Sequence, residues 1–132
     1  MTAPAARPIA TSLADLVPAG ARREPLPGTD GKSGAVLERV EVDGRPMVLK
    51  RLDVRRDWTM RAVGDVACGT AEMWRRGLFD RLPDCFTQPI VGIAVDADPH
   101  PAGYGCWLLM DDVGEHLIPS CDDASDLAVH EA

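Results

Sequence analysis

Two β-rich runs separated by a single Asp-Gly pair constrain this chain more than any other feature. Residues 34–42 (GAVLERVEV) and 45–52 (RPMVLKRL) flank Asp43-Gly44. A two-residue turn whose twist matches its strands needs positive φ, which Gly and Asp tolerate, so an antiparallel hairpin is predicted. The period of two puts Val36, Val40 and Val42 on one face of the first strand, and Val48 and Lys50 on one face of the second. Lys50 therefore ends an otherwise apolar strand face. An ammonium group there is costly to desolvate unless an anion meets it.

The next segment turns helical. Met60, Val63, Val66/Ala67, Ala71, Trp74 and, just past the end, Leu78 recur at spacings of three and four around residues 58–77, with Asp57 placed to cap the start. Gly64 and Gly69 each weaken that helix by roughly 1 kcal/mol relative to Ala. Gly77 closes or breaks it, and a last turn follows before Pro83. Glu72 on this helix is the candidate carboxylate for Lys50; a surface lysine at a strand end is the plainer reading. Strand runs at 88–95 and 106–110 follow, separated by a turn-rich stretch. Upstream, residues 1–8 are small residues and prolines without periodicity and read as a disordered lead. Ile9, Leu13, Leu16 and Val17 suggest a short helix before Pro18, and 18–33 reads as loop. The residues themselves give strand, strand, helix, strand, strand, an α+β pattern.

At 132 residues with 45% hydrophobic content, the chain can bury one modest core. The net charge of −7, with basic residues scattered and adjacent arginines only at 22–23, 55–56 and 75–76, argues against nucleic acid as a partner. Cysteines at 68, 85, 106 and 121 lack the CxxC spacing of a zinc site and read as reduced thiols. The N-terminus holds no apolar run for a signal or a membrane span, so a cytoplasmic location without a membrane partner is expected. His100, His116 and His130 pair with no nucleophile and read as surface groups. Asp111-Asp112 and Asp122-Asp123 lack calcium-loop spacing and read as solvated turns, leaving no metal ligands. Trp58, Trp74 and Trp107 read as packing residues.

Three segments fall in the order of a kinase N-lobe: Val48-Leu49-Lys50, Glu72 within Ala71-Glu72-Met73-Trp74, and Leu108-Leu109-Met110-Asp111-Asp112-Val113-Gly114. Over residues 28 to 119 the chain resembles the aminoglycoside-phosphotransferase-like branch of the protein-kinase-like fold. The stretch WTMRAVGDVACGTAEMWRRGLFDRLP is similar to a bacterial subgroup of it. The resemblance implies an antiparallel sheet of about five strands with one main packed helix, in the order β-β-β-α-β-β. It implies that Lys50 holds the phosphates of ATP, Glu72 orients Lys50, and Val48 lines the adenine pocket. Met110 would lie near the gatekeeper position, and the backbone of Asp111 to Val113 would be the adenine hinge. The loop Gly28-Thr-Asp-Gly31-Lys-Ser33-Gly34 would cover the phosphates, although its spacing departs from GxGxxG. A Walker A reading of Gly31-Lys32-Ser33 fails, because Leu26 stands where the first glycine is required and the loop opens a strand.

Phosphoryl transfer also needs an acceptor-orienting aspartate and magnesium ligands, which kinase folds supply from the larger C-lobe. No HxD motif followed by Asn, and no DFG-like triplet, occurs after the hinge. The expected organisation is a lead over 1–27, the lobe over 28–119, and a truncated C-lobe start or tail over 120–132. The expected function is an ATP-binding lobe of a small-molecule phosphotransferase, inactive alone, with Mg and the acceptor held by a missing lobe. The alternative is a non-catalytic module that docks another chain, with self-association through the exposed inter-lobe face.

Overall fold

The computed structural model describes residues 6–26, 33–98, 101 and 103–114. Its frame is the hairpin of β2 (Val36–Val42) and β3 (Arg45–Asp53), with Val42 opposite Arg45. Asp43 and Gly44 both have positive φ, 53° and 75°, the geometry a two-residue turn demands. β4 (Ile90–Val95) and β5 (Gly105–Asp111) form the second hairpin. β5 pairs with β3 along its length, from Met47 opposite Asp111 to Asp53 opposite Gly105. A three-residue strand β1 (Arg23–Pro25) completes an antiparallel five-stranded sheet of order β1-β2-β3-β5-β4. The α+β class and the five strands agree with expectation.

Three local readings are corrected. β1 lies in the stretch read as loop; it is short, fully exposed and ends in proline, so it carries no alternating pattern. The single helix over 58–77 is two: α1 (Trp58–Ala62) and α2 (Gly69–Arg75). Gly64 adopts φ +71°, which interrupts the helical backbone between them. Asp57 caps α1 as expected, accepting from the Thr59 and Met60 N–H groups at 2.9 and 3.2 Å. The expected helix near the N-terminus is only a single 3-10 turn, Leu13–Asp15.

Residues 7–10 are held against the sheet and α2 instead. The Ala10 N–H donates to the Ile93 carbonyl and the Val95 N–H to the Ala10 carbonyl, each at 2.9 Å, so this segment runs parallel beside β4. The Arg7 guanidinium lies 4.4 Å from the Trp74 ring centroid and pairs with Asp80, and the Trp74 indole donates to the Pro8 carbonyl at 3.2 Å. Residues 6–8 are thus anchored, and the packed unit begins well before residue 28.

Two cores flank the sheet. One face packs Cys106, Leu108 and Ile93 against Met60, Ala71 and Trp74 of the helices. The other packs Val40, Met47, Leu49 and Leu109 against Val17. Leu49 and Val40 are essentially inaccessible, and burial of this kind stabilises by about 1.5–3 kcal/mol per side chain. Cys68 and Cys106, both fully buried, are joined as a disulfide between the start of α2 and β5. That corrects the reading of Cys68 and Cys106 as reduced thiols, while Cys85 is free and exposed. Among the described residues no helix is long and apolar enough to cross a membrane.

Because Asp57 satisfies two otherwise orphaned N–H groups, we expect Asp57→Ala to lower stability by about 1 kcal/mol and Asp57→Ser by much less. Urea denaturation of the two variants checks this.

Candidate functional site

Lys50 stands on β3 between Leu37 of β2 and Leu108 of β5. It shares the sheet face that α1 and α2 cover, since Leu108 belongs to the core on that side. Val48, two residues earlier, faces Met110 directly across the β3–β5 ladder, and Met110 faces Ile90 on β4. The register therefore gathers Val48, Lys50 and Met110 on one face, although they are up to 62 residues apart in sequence. All three are half-buried.

The expected ion pair between Lys50 and Glu72 is not formed. Among the described residues no carboxylate lies within 4.0 Å of the Lys50 ammonium. Glu72 instead accepts from Arg75 at 2.9 and 2.6 Å and from Arg76 at 2.5 Å. Those side-chain hydrogen bonds, Arg75 first, hold its carboxyl down at about 2. Helix geometry explains the choice. Ala71 and Trp74 take the buried face of α2, and at about 100° per residue Glu72 points well away from it. Lys50, for its part, is not sealed from water, so the desolvation cost that would demand a carboxylate is largely absent.

The hinge and loop residues are partly engaged elsewhere. The Asp111 N–H donates to the Pro89 carbonyl at 2.9 Å, and its carboxylate pairs with Arg45. Asp112 lies 3.4 Å from Arg39 and accepts from the Gly114 N–H at 3.0 Å, while Val113 is exposed. An open cavity of about 440 Å³ beside this strand end is lined by Arg39, Arg45, Pro46, Asp111, Asp112 and Gly114. It does not reach Lys50. Gly34 has φ +93°, and a Cβ there would come within 2.6 Å of the Arg56 carbonyl oxygen, so only glycine fits. The Ser33 hydroxyl bonds to Asp57 at the start of α1. The rest of the loop, residues 28–32 with Gly31 among them, lies outside the described residues.

One charged constellation was missed. Arg51, Asp53 and Arg55 alternate in sequence, which was a legible sign that they share a side of the chain. Arg51 forms a bidentate pair with Asp96 at 2.8 and 2.7 Å. Asp53 is nearly buried and is gripped by Arg55 at 3.0 and 2.7 Å. The Arg55 hydrogen bond holds the Asp53 carboxyl down at about 2. Trp107 lies beneath the guanidinium groups of Arg23 and Arg51, 5.3 and 5.0 Å from its ring centroid, rather than serving only as packing.

Comparison with family models, with curated proteins and with solved structures returns no match to this chain.

The lowered Asp53 pKa gives stability that is fully present above about pH 4 and is lost as pH falls towards 2. With Arg55 half exposed, we expect this to be roughly 1–2 kcal/mol. Urea midpoints measured from pH 5 to pH 2 should fall more steeply for the wild type than for Asp53→Asn; parallel curves would refute the assignment.

Proposed function

We propose that this chain is the ATP-binding lobe of a small-molecule phosphotransferase of the aminoglycoside-phosphotransferase-like kind. The observation that carries the reading is the place of Lys50 on the third strand of a five-stranded antiparallel sheet, beside Val48 and Met110 on one half-buried face. The connection from β1 to β2, where the glycine-bearing stretch falls, joins β2 at the end where Val36 meets Arg51. The strand end leading to Val113 lies at the opposite end, where Met47 meets Asp111. Lys50 sits between the two, nearer the Val36 end. A nucleotide laid along β3 would set its base by Val48 and Met110 and its phosphates by Lys50. Two strand residues span about 6.5–7 Å, which suits a ligand that is apolar at one end and anionic at the other.

That no carboxylate among the described residues meets the Lys50 ammonium favours this reading over a structural lysine, because it leaves the cation available for phosphate. Glu72 is not a nucleotide contact in this arrangement, since Arg75 and Arg76 occupy its carboxylate. No group of three or more His, Cys, Asp and Glu among the described residues could hold a metal ion. With no HxD or DFG-like motif after the hinge, we expect nucleotide binding without turnover from residues 1–132.

Isothermal titration with Mg-ATP tests the reading. We expect Lys50→Ala to weaken binding at least about tenfold, as loss of a charged phosphate contact should. Glu72→Ala should change it less than about twofold, since its partners are on its own helix. Equal heats for wild type and Lys50→Ala would remove the assigned role.

A further inference from the structure

Lys50 and its neighbour Arg51 point to opposite faces of β3, as alternation in a strand requires. On the Arg51 face, Val36, Arg51 and Trp107 form a cross-strand row over β2, β3 and β5. With Asp53, Arg55 and Arg56 at the end of β3, they line an open cavity of about 510 Å³. Its wall holds three guanidinium groups and one carboxylate, within a chain whose net charge is −7. Such a local reversal of sign is what an anion would encounter.

The fixed partners of these cations leave a directed surplus. Arg51 has a side chain only 15% exposed, and both its terminal nitrogens are turned to Asp96. Asp53 is taken up by Arg55, with Arg51 3.9 Å away. Arg23, stacked on the far partner of the row, is balanced by Glu38. Counting Arg23, Arg51, Arg55 and Arg56 against Glu38, Asp53 and Asp96 leaves one positive charge. It belongs to Arg56, whose side chain has no ion pair or hydrogen bond among the described residues. Carboxylates thus hold two guanidinium planes in position while a third remains uncommitted, and pre-oriented donors lose less entropy when a ligand arrives.

We propose that this cavity is a binding site for a compact oxyanion carrying two or more negative charges, of the polyphosphate or polycarboxylate class. Arg56 is its principal contact, the outward N–H edge of Arg55 a second, and Trp107 with Val36 the apolar floor. Guanidinium forks suit paired oxygen atoms of either class. The site is on the other side of the sheet from Lys50 and is independent of the nucleotide reading.

The test titrates the full chain, labelled with nitrogen-15, with sodium tripolyphosphate and separately with citrate, in a buffer free of other polyanions. Saturable shifts are expected at the Trp107 indole and at the backbone N–H groups of Val36, Arg55 and Arg56. Arg56→Gln should weaken that binding at least about tenfold. Val36→Glu, which places a carboxylate in the cavity mouth, should abolish it, and either variant suffices should the other fail to fold. Preference for tripolyphosphate identifies a phosphate ligand, and preference for citrate a polycarboxylate. Absence of shifts with both probes at about 10 mM, shifts confined to Leu37, Lys50 and Leu108, or unchanged affinity in a folded variant would overturn the proposal.

Discussion

The register of β3 between β2 and β5 is the constraint on which the rest depends. The two-residue turn at Asp43-Gly44 allows one alignment of β2 with β3, and that alignment assigns every β3 side chain to a face. A slip of one residue would send Leu49 to the helix side and Lys50 into the core with Val40. Both cores, the Lys50 face and the arginine cavity would be lost together.

The sheet separates two kinds of charge management. On one side, an ammonium stands half-buried without a carboxylate partner among the described residues, next to apolar neighbours that a flat ligand could share. On the other, Arg51, Asp53, Arg55 and Asp96 neutralise one another at short range. Lysine suits the first setting, because its compact charge is readily served by water when no ligand is present. Arginine suits the second, where a planar fork must meet two oxygen atoms at once. The helix carboxylate Glu72 follows the same logic, since two guanidinium groups within one turn offer it closer and better-shaped partners than Lys50.

The sequence made legible those parts of the fold that are set by neighbours in the chain. The hairpin turn, the Asp57 cap, the faces of β2 and β3 and the two later strands all follow from spacing and turn chemistry. What it left unread depends on distant contacts. β1 has three exposed residues and gains its identity only from pairing with β2. The break between α1 and α2 turns on Gly64 taking a left-handed conformation, where apolar periodicity alone predicted continuity. At the site, Lys50 and its face were readable. That Val48 meets Met110, and that Glu72 turns outward, required the β3–β5 register and the orientation of a short helix.

Anchoring of the first described residues has a consequence for solubility. A sheet with a bare outer strand offers unpaired N–H and C=O groups on which other chains can polymerise. Here the Ala10 contacts with Ile93 and Val95 occupy part of the margin beyond β4. The opposite margin is a strand of three residues ending in a proline that cannot donate, with Arg23 and Glu24 as its charged guards. Removing residues 6–10 would therefore do more than trim a tail: it would uncover a template for intermolecular strand addition along β4.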